Sequence, residues 1–412
     1  MGSLVPSSRV EQRRVGGCGM GVIAIPEEIA QLRESLESFV EREVGAAEES
    51  IADELRRTGT VDHDTFVAAQ RELRKKSVAA GFYAMHMPED VGGAGLGSLG
   101  MAIAHEVIAA SGYALAERGS VIAGVEGPTH MLLDLNDEQR VRYLEPLMRA
   151  EREACFALSE PEAGSDATNI HTKARRDGDG WVIDGRKHFI THGQYADVIQ
   201  LFATTDAEKG AAGGITFFMV DKDTPGVSVT SIQHTIGSDL PAELTFEGAR
   251  VGDEQVVGEV GFGFRSAMRW INKGRIDIGG SAIGKATWLT DRMRDYARER
   301  TAFGRPIGNF QFVQQHVVDS FVELRMARNL VYECADAVDR GEDPRQAAAM
   351  AKLAATEMVG RVADRAIQVF GGNGIMSELG VERVYRDVRA MRVYEGTSEI
   401  LRETIAKTLG LT

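Results

Sequence analysis

The 412-residue chain has little of what would define a disulfide-stapled, metal-bound or membrane-spanning protein. Its three cysteines, Cys18, Cys155 and Cys334, lie far apart, and its nine histidines form no HxH, HExxH or Cys/His cluster. We therefore expect neither a disulfide framework nor a metal site, and a reducing compartment is the natural setting. No apolar run reaches the length of about 18 residues that a transmembrane helix needs.

Basic residues are also in short supply. The 47 Lys and Arg residues against 61 Asp and Glu residues give a net charge of −14. A nucleic-acid-tracking protein is excluded, because such proteins bind mainly by neutralising phosphates. A hydrophobic fraction of 43% and only 10 prolines exclude a disordered chain. At roughly 150 residues per domain, the length predicts about three domains.

The N-terminus is set apart by its composition. Residues 1–25 are rich in Gly, Ser and Arg and lack the apolar segment of a secretory signal. We interpret them as a disordered leader, or as sequence ahead of a start at Met20, with an organelle transit peptide as the alternative. The expected location is the cytoplasm, and the mitochondrial matrix is the alternative.

Helical spacing of apolar residues dominates both ends of the chain. From Pro26 apolar residues recur at intervals of three and four, and the same spacing returns from about Gly263. A long helix at 346–370 is expected to end at Gly371-Gly372, as at a C-terminal cap. The two helical blocks could form one split bundle or two bundles. Further helices are predicted at about 62–80, 98–112, 116–133 and 137–149.

The middle of the chain instead alternates with the period of β-strands. Asp184-Gly185 is a strong turn signal, because its turn type needs positive φ, and it predicts a hairpin between 181–183 and 186–191. Further short strands at 215–220, 227–232 and 243–251 indicate a small barrel or sandwich. The predicted organisation is a leader (1–25), an all-α domain (26–150), a β-domain (151–260) and a second helical domain (261–412).

Four segments carry residues suited to chemistry, although each also has an ordinary structural explanation. Residues 155–166 combine hydroxyls with small residues. The small residues could let a ligand approach the backbone, or the segment could be a simple loop. Arg300 and Phe303, followed by Gln311, could grip a diphosphate and cover a ring, or be a solvated cation and a packed aromatic. Residues 368–374 contain a GGNG stretch that also fits a helix cap. Glu395 directly precedes a glycine and two hydroxyl residues. It could act as a base at a turn that a ligand approaches closely, or it could be a solvated acid in a loop.

In this order and at these separations, the four segments resemble the acyl-CoA dehydrogenase family. The resemblance covers about residues 26–412 and includes a GExGxGF-like turn at 258–264 and the VYRD stretch at 384–387. It implies an α+β fold with an N-terminal helical domain, a middle β-barrel or sandwich and a C-terminal four-helix bundle. It also implies FAD between the β-domain and the bundle. Because a neighbouring subunit supplies part of such a site, a homotetramer built as a dimer of dimers is expected.

The resemblance also implies which residues contact FAD. Ser159 stands where many relatives have Thr, so the hydroxyl is kept, and the Thr191 hydroxyl is expected near flavin N5. The segments around Arg300 and Gln368 are expected to reach the FAD of a partner subunit. The implied FAD-binding residues are Phe156, Leu158, Ser159, Gly164, Ser165, Phe189, Ile190, Thr191, Arg300, Phe303, Gln311, Gln368, Gly371, Gly372, Thr397 and Glu399.

Glu395 is the implied catalytic base. The reaction removes the α-proton of an acyl-CoA thioester while the β-hydride moves to flavin N5. The thioester oxygen needs an oxyanion hole, which the Glu395 N–H and a ribityl hydroxyl provide in the family. A raised pKa would suit the carboxyl to proton transfer near neutral pH. The implied substrate-binding residues are Ser165, Asn272, Arg275 and Gly396.

Three positions bear on this assignment. Some relatives place the base on a bundle helix, where this chain has Gly274, so that variant is excluded. Asn272 replaces a frequent Asp beside the CoA-side Arg275. The turn at 236–241, with its acid and proline, replaces an Arg-Gly-Ser-like turn and could reshape a rim near CoA or the electron acceptor. The acyl cavity is expected to draw on helices around 98–133.

The expected function is therefore the FAD-dependent dehydrogenation of an acyl-CoA to the trans-2-enoyl-CoA, with electrons passed to electron transfer flavoprotein. Two alternatives stay open. An acyl-CoA oxidase would use oxygen, although the usual oxidase chain is longer. A non-catalytic subunit would tend to lose the base or the flavin contacts, which are present here. The nature of the acyl group, whether straight, branched, aromatic or steroid-derived, is left open.

Overall fold

The computed structural model describes residues 23–117, 119–237 and 239–411, so most of the predicted leader, Cys18 and Ser238 lie outside it. Helices occupy both ends of the described chain and a sheet occupies the middle, as the change of apolar period predicts. A π-helical turn, Val40–Val44, joins the first two helices. The helices are α1 (Glu27–Phe39), α2 (Gly45–Thr58), α3 (His63–Ala79), α4 (Ser98–Ala110), α5 (Asp137–Gln139), α6 (Glu145–Met148), α7 (Gly263–Glu299), α8 (Gln311–Asp339), α9 (Pro344–Phe370), α10 (Val381–Met391) and α11 (Ser398–Thr408).

The middle region is one eight-stranded sheet with the order β6-β7-β3-β2-β4-β5-β8, and β1 pairs with β4. β4 pairs in parallel with β1 and β2, and the other pairs are antiparallel. A separate two-stranded ribbon, β9–β10, follows α7. The strands are β1 (Ala154–Ala157), β2 (Lys173–Asp177), β3 (Gly180–Ile190), β4 (Val198–Thr204), β5 (Ile215–Asp221), β6 (Val227–Ile232), β7 (Ala242–Gly252), β8 (Val256–Val257), β9 (Thr301–Ala302) and β10 (Arg305–Pro306).

The hairpin predicted at Asp184-Gly185 is wrong, because β3 runs through this dipeptide as one strand. The chain reverses direction before this dipeptide, in the turn between β2 and β3, where Asp177 pairs with Gly180 across two intervening residues. At Asp184 the ladder to β7 shifts register, as at a bulge. The Asp184 carboxylate accepts the Gly248 N–H at 2.8 Å, so its side chain joins two strands instead of closing a turn.

The helix predicted at 116–133 is also wrong. Turns fill most of this segment, and the regular element it contains is a short 3₁₀ helix, His130–Asp134. Gly119 has a left-handed φ of +74°, and a Cβ there would overlap the Glu126 carboxylate. That carboxylate accepts the Gly124 N–H at 2.8 Å, so a local side-chain contact competes with the helix.

The two helical blocks share one hydrophobic core. Side chains of α4, α7, α8, α9 and α10 all contribute to it. α4 crosses α7 at glycines: a Cβ at Gly280 would overlap the Ala102 carbonyl, and one at Gly284 would overlap the Glu106 carbonyl. The close crossing brings α4 against the helix that carries Asn272, Gly274 and Arg275.

Within 23–117, 119–237 and 239–411, no helix is long and apolar enough to cross a membrane. The same part of the chain has no cluster of three or more His, Cys, Asp or Glu side chains suited to a metal ion. Cys155 and Cys334 are free thiols and both are buried.

The crossing of α4 and α7 predicts whether one substitution stabilises or destabilises the fold. Helix propensity alone favours Gly280→Ala by about 1 kcal/mol. Because the new Cβ would overlap a backbone carbonyl, we expect a net loss of about 1–3 kcal/mol instead. Gly360→Ala on α9 is the matched control, since its Cβ would lie 3.5 Å from the nearest atom, in Arg392. Thermal unfolding of the FAD-bound enzyme should show a lower midpoint for Gly280→Ala and a higher one for Gly360→Ala. Equal rises would contradict the close crossing.

Candidate active site

Glu395 lies in a tight turn between α10 and α11. Its φ is +52°, and that of Gly396 is +97°. Thr397 then begins α11, because its side chain accepts the Ile400 N–H at 3.3 Å. A non-glycine residue with left-handed backbone costs of order 1 kcal/mol or more and persists only where its surroundings hold it.

Two buried cations hold this turn. Lys352 of α9 donates from Nζ to the carbonyls of Tyr394 and Gly396, the second at 2.7 Å. Arg275 of α7 donates from Nε to the Glu395 carbonyl at 3.0 Å. Three successive carbonyls are therefore bound by side chains from two helices. Arg275 is 5% exposed and Lys352 is fully buried, so both act from inside the protein.

Lys352 is not among the residues predicted from the sequence. The available signal was a lysine in the middle of an Ala- and Met-rich helical stretch, since lysine is almost never fully buried without a partner. The partners, however, are backbone carbonyls about forty residues away, and backbone atoms leave no trace in a side-chain pattern.

The Glu395 carboxyl lies directly over Gly274. A Cβ at that glycine would be 2.6 Å from Glu395 Oε2, so only glycine leaves the carboxyl its full space. Oε2 is inaccessible and has no hydrogen-bond partner among the described residues. Burial raises the pKa of Glu395 to about 7, the Lys352 and Arg275 cations oppose the rise, and Asp277 adds to it. A carboxyl of this kind can take a proton near neutral pH.

The predicted flavin segments of the β-domain meet at the end of β3. The His188 N–H donates to the Ser159 carbonyl at 2.9 Å. Lys187, fully buried, donates to the Leu158 carbonyl at 2.9 Å and to Glu160 Oε1 at 2.7 Å. Burial lowers the pKa of Lys187 to about 8, although the Glu160 carboxylate favours its charged form. This ion pair, which was not predicted from the sequence, ties the 156–165 segment to β3.

The remaining predicted FAD-binding residues of the β-domain differ in their exposure to solvent. Leu158 and Ile190 are buried, and Phe156 packs in the same core as Trp270 of α7, one turn before Gly274. The Phe189 ring is 64% exposed beside Thr191, which is also exposed. The first group of site segments, 156–165 and 189–191, therefore joins the β-domain to the helix beneath Glu395. Gly164, Ser165 and Glu399 are exposed, and Thr397 is half-buried.

A second group gathers at the far end of α7. The Tyr296 and Phe370 rings stack with centroids 4.3 Å apart, which brings the Arg300 segment to the Gln368 segment. Phe303 is 95% exposed. No hydrogen bond or ring contact between described residues joins this group to the first. Its exposed predicted residues are Arg300, Phe303, Gln311, Gln368, Gly371 and Gly372.

Backbone strain marks the same places. Five non-glycine residues in the described chain have positive φ, and three of them are Phe189, Phe303 and Glu395. Such residues cluster at functional sites. Exposed aromatics next to Thr191 and Arg300 fit a ligand with both an aromatic ring system and phosphates, as FAD has.

Comparisons with known proteins agree with this geometry. Three family models match the chain: Acyl-CoA dehydrogenase N-terminal domain at 26–151, middle domain at 155–249 and C-terminal domain at 261–410. A 3-(aryl)acrylate reductase of Clostridium sporogenes is 37% identical over 92% of this chain and 97% of its own. The caffeyl-CoA reductase-Etf complex subunit CarC of Acetobacterium woodii is 33% identical over 93% and 98%. The structure of butyryl-CoA dehydrogenase from Megasphaera elsdenii superposes with a TM-score of 0.82 at 28% identity, covering 94% of this chain and 99% of that one.

The chain belongs to the acyl-CoA dehydrogenase family. It is accordingly an FAD-dependent oxidoreductase with the family's fold of helical, β and helical domains.

The buried ammonium of Lys352 predicts a shift in the pH profile. Lys352→Met removes a cation that favours ionised Glu395, so the pKa of Glu395 should rise. A base works only when deprotonated, so activity is present above this pKa and is lost as the pH falls through it. We expect the acid limb of kcat/KM for flavin reduction to move up by about one pH unit or more.

Two variants control this measurement. Lys352→Arg keeps the charge and should keep the limb near its original position. Lys407→Met removes an exposed lysine that pairs with Glu403, so the profile should not move. An unchanged acid limb in a folded, FAD-loaded Lys352→Met enzyme would remove Lys352 from the account of the base.

Proposed function

We propose that the protein oxidises an acyl-CoA thioester to the trans-2-enoyl-CoA, with Glu395 as the base that removes the α-proton. The observation that carries this proposal is the half-buried Glu395 carboxyl, whose inaccessible Oε2 has no partner among the described residues and whose pKa is raised to about 7. A carboxyl that only stabilised the fold would be expected to have hydrogen-bond partners.

The turn around Glu395 supplies more than the carboxyl. With its three carbonyls bound by Lys352 and Arg275, the turn keeps one conformation and can present the Glu395 N–H to the thioester oxygen as charge develops there. Gly396 lets the substrate approach the backbone closely. FAD, when bound, supplies the acceptor for the β-hydride.

The FAD and CoA contacts of individual residues are part of the same proposal. The first group, with Ser159, Phe189 and Thr191, would hold the flavin end of FAD. Arg275, predicted as a CoA contact, also donates to Asn272 Oδ1 at 3.2 Å, so the Asn that replaces an Asp orients this guanidinium. Ser165 is exposed and free to meet a ligand from solvent.

We infer that a second copy of the chain covers the second group, within the proposed dimer of dimers. α8 exposes Val318, Phe321, Val322 and Met326, which are spaced by three and four and so form one helical face. An exposed apolar face of this kind marks an interaction surface. α8 begins directly after Phe310, whose ring lies 6.0 Å from that of Phe303, a residue expected to reach a partner's FAD.

The proposed electron acceptor is electron transfer flavoprotein. Support comes from the relative named as a subunit of a caffeyl-CoA reductase-Etf complex, which this chain matches over nearly its full length. The two buried free thiols agree with a reducing compartment such as the cytoplasm.

Anaerobic bleaching of the flavin by acyl-CoA tests the proposal. Glu395→Gln should retain FAD and lose bleaching by at least about a hundredfold, because general-base catalysis contributes about 10²–10⁴. Glu403→Gln, which changes an exposed carboxylate on α11, should bleach as the wild type does. A Glu395→Gln enzyme that is reduced as fast as wild type would show that the base lies elsewhere.

A further inference from the structure

Thr191, proposed to hold the flavin, lies in a strained turn. The turn runs from Ile190, the last residue of β3, to Gly193, whose N–H donates to the Ile190 carbonyl at 3.1 Å. His192 occupies the third position of the turn with a φ of +67°. A positive φ at this position is typical of a type II turn, which favours glycine or asparagine there. A histidine adopts it less readily, so its surroundings must hold it.

The His192 ring is held by a buried carboxylate. His192 Nε2 lies 3.1 Å from Glu153 Oε2, and 10% of the His192 side chain and 9% of that of Glu153 are exposed. Burial alone would raise the pKa of Glu153, but contacts with His192, Arg71 and Arg74 lower it to about 2, so the carboxylate is ionised. Because an ionised carboxylate can only accept, Nε2 of the ring carries the hydrogen.

Two arginines of α3 fix the position of the Glu153 carboxylate. Arg71 donates from Nη2 to Oε2 at 2.5 Å and from Nε to both carboxylate oxygens at 3.1 Å. Arg74, which is 2% exposed, donates from Nη1 to Oε1 and from Nε to the Gly119 carbonyl at 2.9 Å. The carboxylate is therefore a fixed point against which the His192 ring is held.

Glu153 also lies at the start of the other flavin segment of the β-domain. It directly precedes β1, which leads into residues 156–165. Its N–H donates to the Asp197 carboxylate at 2.8 Å, and its carbonyl accepts the N–H groups of Asp197 and Val198 at 2.7 and 3.2 Å. The main chain of Glu153 is thereby joined to the start of β4, while its side chain holds the turn that contains Thr191.

The residues that follow His192 contact the same helix. The His192 carbonyl accepts the Tyr195 N–H at 3.0 Å. The Tyr195 hydroxyl donates to Asp64 Oδ1 of α3 at 2.5 Å, and the Arg71 guanidinium lies 5.7 Å from the centroid of the Tyr195 ring. Helix α3 therefore contacts the chain just beyond the turn as well as the carboxylate that holds the turn.

We propose that His192 is a positioning residue, which the arginine-bound Glu153 carboxylate holds in the left-handed conformation so that the turn presents Thr191 to the flavin. The N-terminal helical block thereby takes part in the flavin site, through Arg71 and Arg74 of α3. An asparagine could form the same turn, so the turn alone does not require the histidine. This role rests on the proposed function only in the contact between Thr191 and FAD, and it adds no chemical step.

A double-mutant cycle tests this role with two measurements that need no acyl-CoA. These are the dissociation constant of FAD from the apoprotein and the midpoint potential of the bound flavin, from anaerobic titration with dithionite against a reference dye. His192→Asn keeps a residue that accepts positive φ, but its side chain is too short to reach Glu153 as the imidazole does. Thr191→Ala removes the hydroxyl that the turn presents.

We expect each single variant to weaken FAD binding by about two- to tenfold, the value of one hydrogen bond, and to shift the potential in the same direction. The double variant should match Thr191→Ala, because His192 has nothing to position once the hydroxyl is gone. Arg71→Met removes one of the two guanidiniums that hold Glu153 and should shift both quantities in the same direction by less. His171→Asn, at an exposed histidine, is the matched control and should change neither.

Three results would contradict the role of His192. The first is no effect of His192→Asn, and the second is an effect that persists undiminished in the Thr191→Ala background, as a general effect on the fold would. The third is a Thr191→Ala protein with unchanged FAD affinity and potential, because the contact between Thr191 and the flavin would then be absent. If no acyl-CoA reduces the flavin, the proposed reaction is refuted, whereas the cycle still reports on His192.

Discussion

The buried ammonium of Lys352 is the interaction on which the rest of the site depends. Burying a cation is costly, and the structure offsets the cost with two backbone carbonyls on either side of Glu395 and with the carboxyl of Glu395 nearby. The same contacts fix the left-handed turn that aims the base. Lys352 therefore links the position of Glu395 to its proton affinity: burial raises the pKa of the carboxyl, and the ammonium limits the rise.

The glycines of α7 also help to form the site. Gly274 leaves space for the Glu395 carboxyl, and Gly280 and Gly284 let α4 approach the same helix closely. One helix therefore carries both the surface under the base and the surface against the N-terminal block. Asp277, which raises the pKa of Glu395, lies between these two contacts on the same helix.

Much of this could be predicted from the amino-acid sequence. The apolar period separated helices from strands, and four short motifs identified the family and Glu395. The errors have a common cause. Asp184-Gly185 and the segment at 116–133 carry strong local signals, but the carboxylates of Asp184 and Glu126 find partners that redirect the backbone. Lys352 was missed because it binds backbone carbonyls, which every residue has. Lys187 was missed because its partners, the Leu158 carbonyl and the Glu160 carboxylate, are distant in the sequence. The approach of His86 and His130 to Lys273 and Asp277 could not be predicted, because these residues come from separate segments that only the fold brings together.

The most direct test of the account is the protonation state of Glu395 itself. Infrared difference spectra of the FAD-bound protein, recorded across pH 4 to 9, would follow the carboxyl stretch that disappears in Glu395→Gln. The account predicts that this band titrates with an apparent pKa of about 7. A band that titrates near the ordinary value of 4.5 would contradict it, because Oε2 would then be solvated and not enclosed over Gly274.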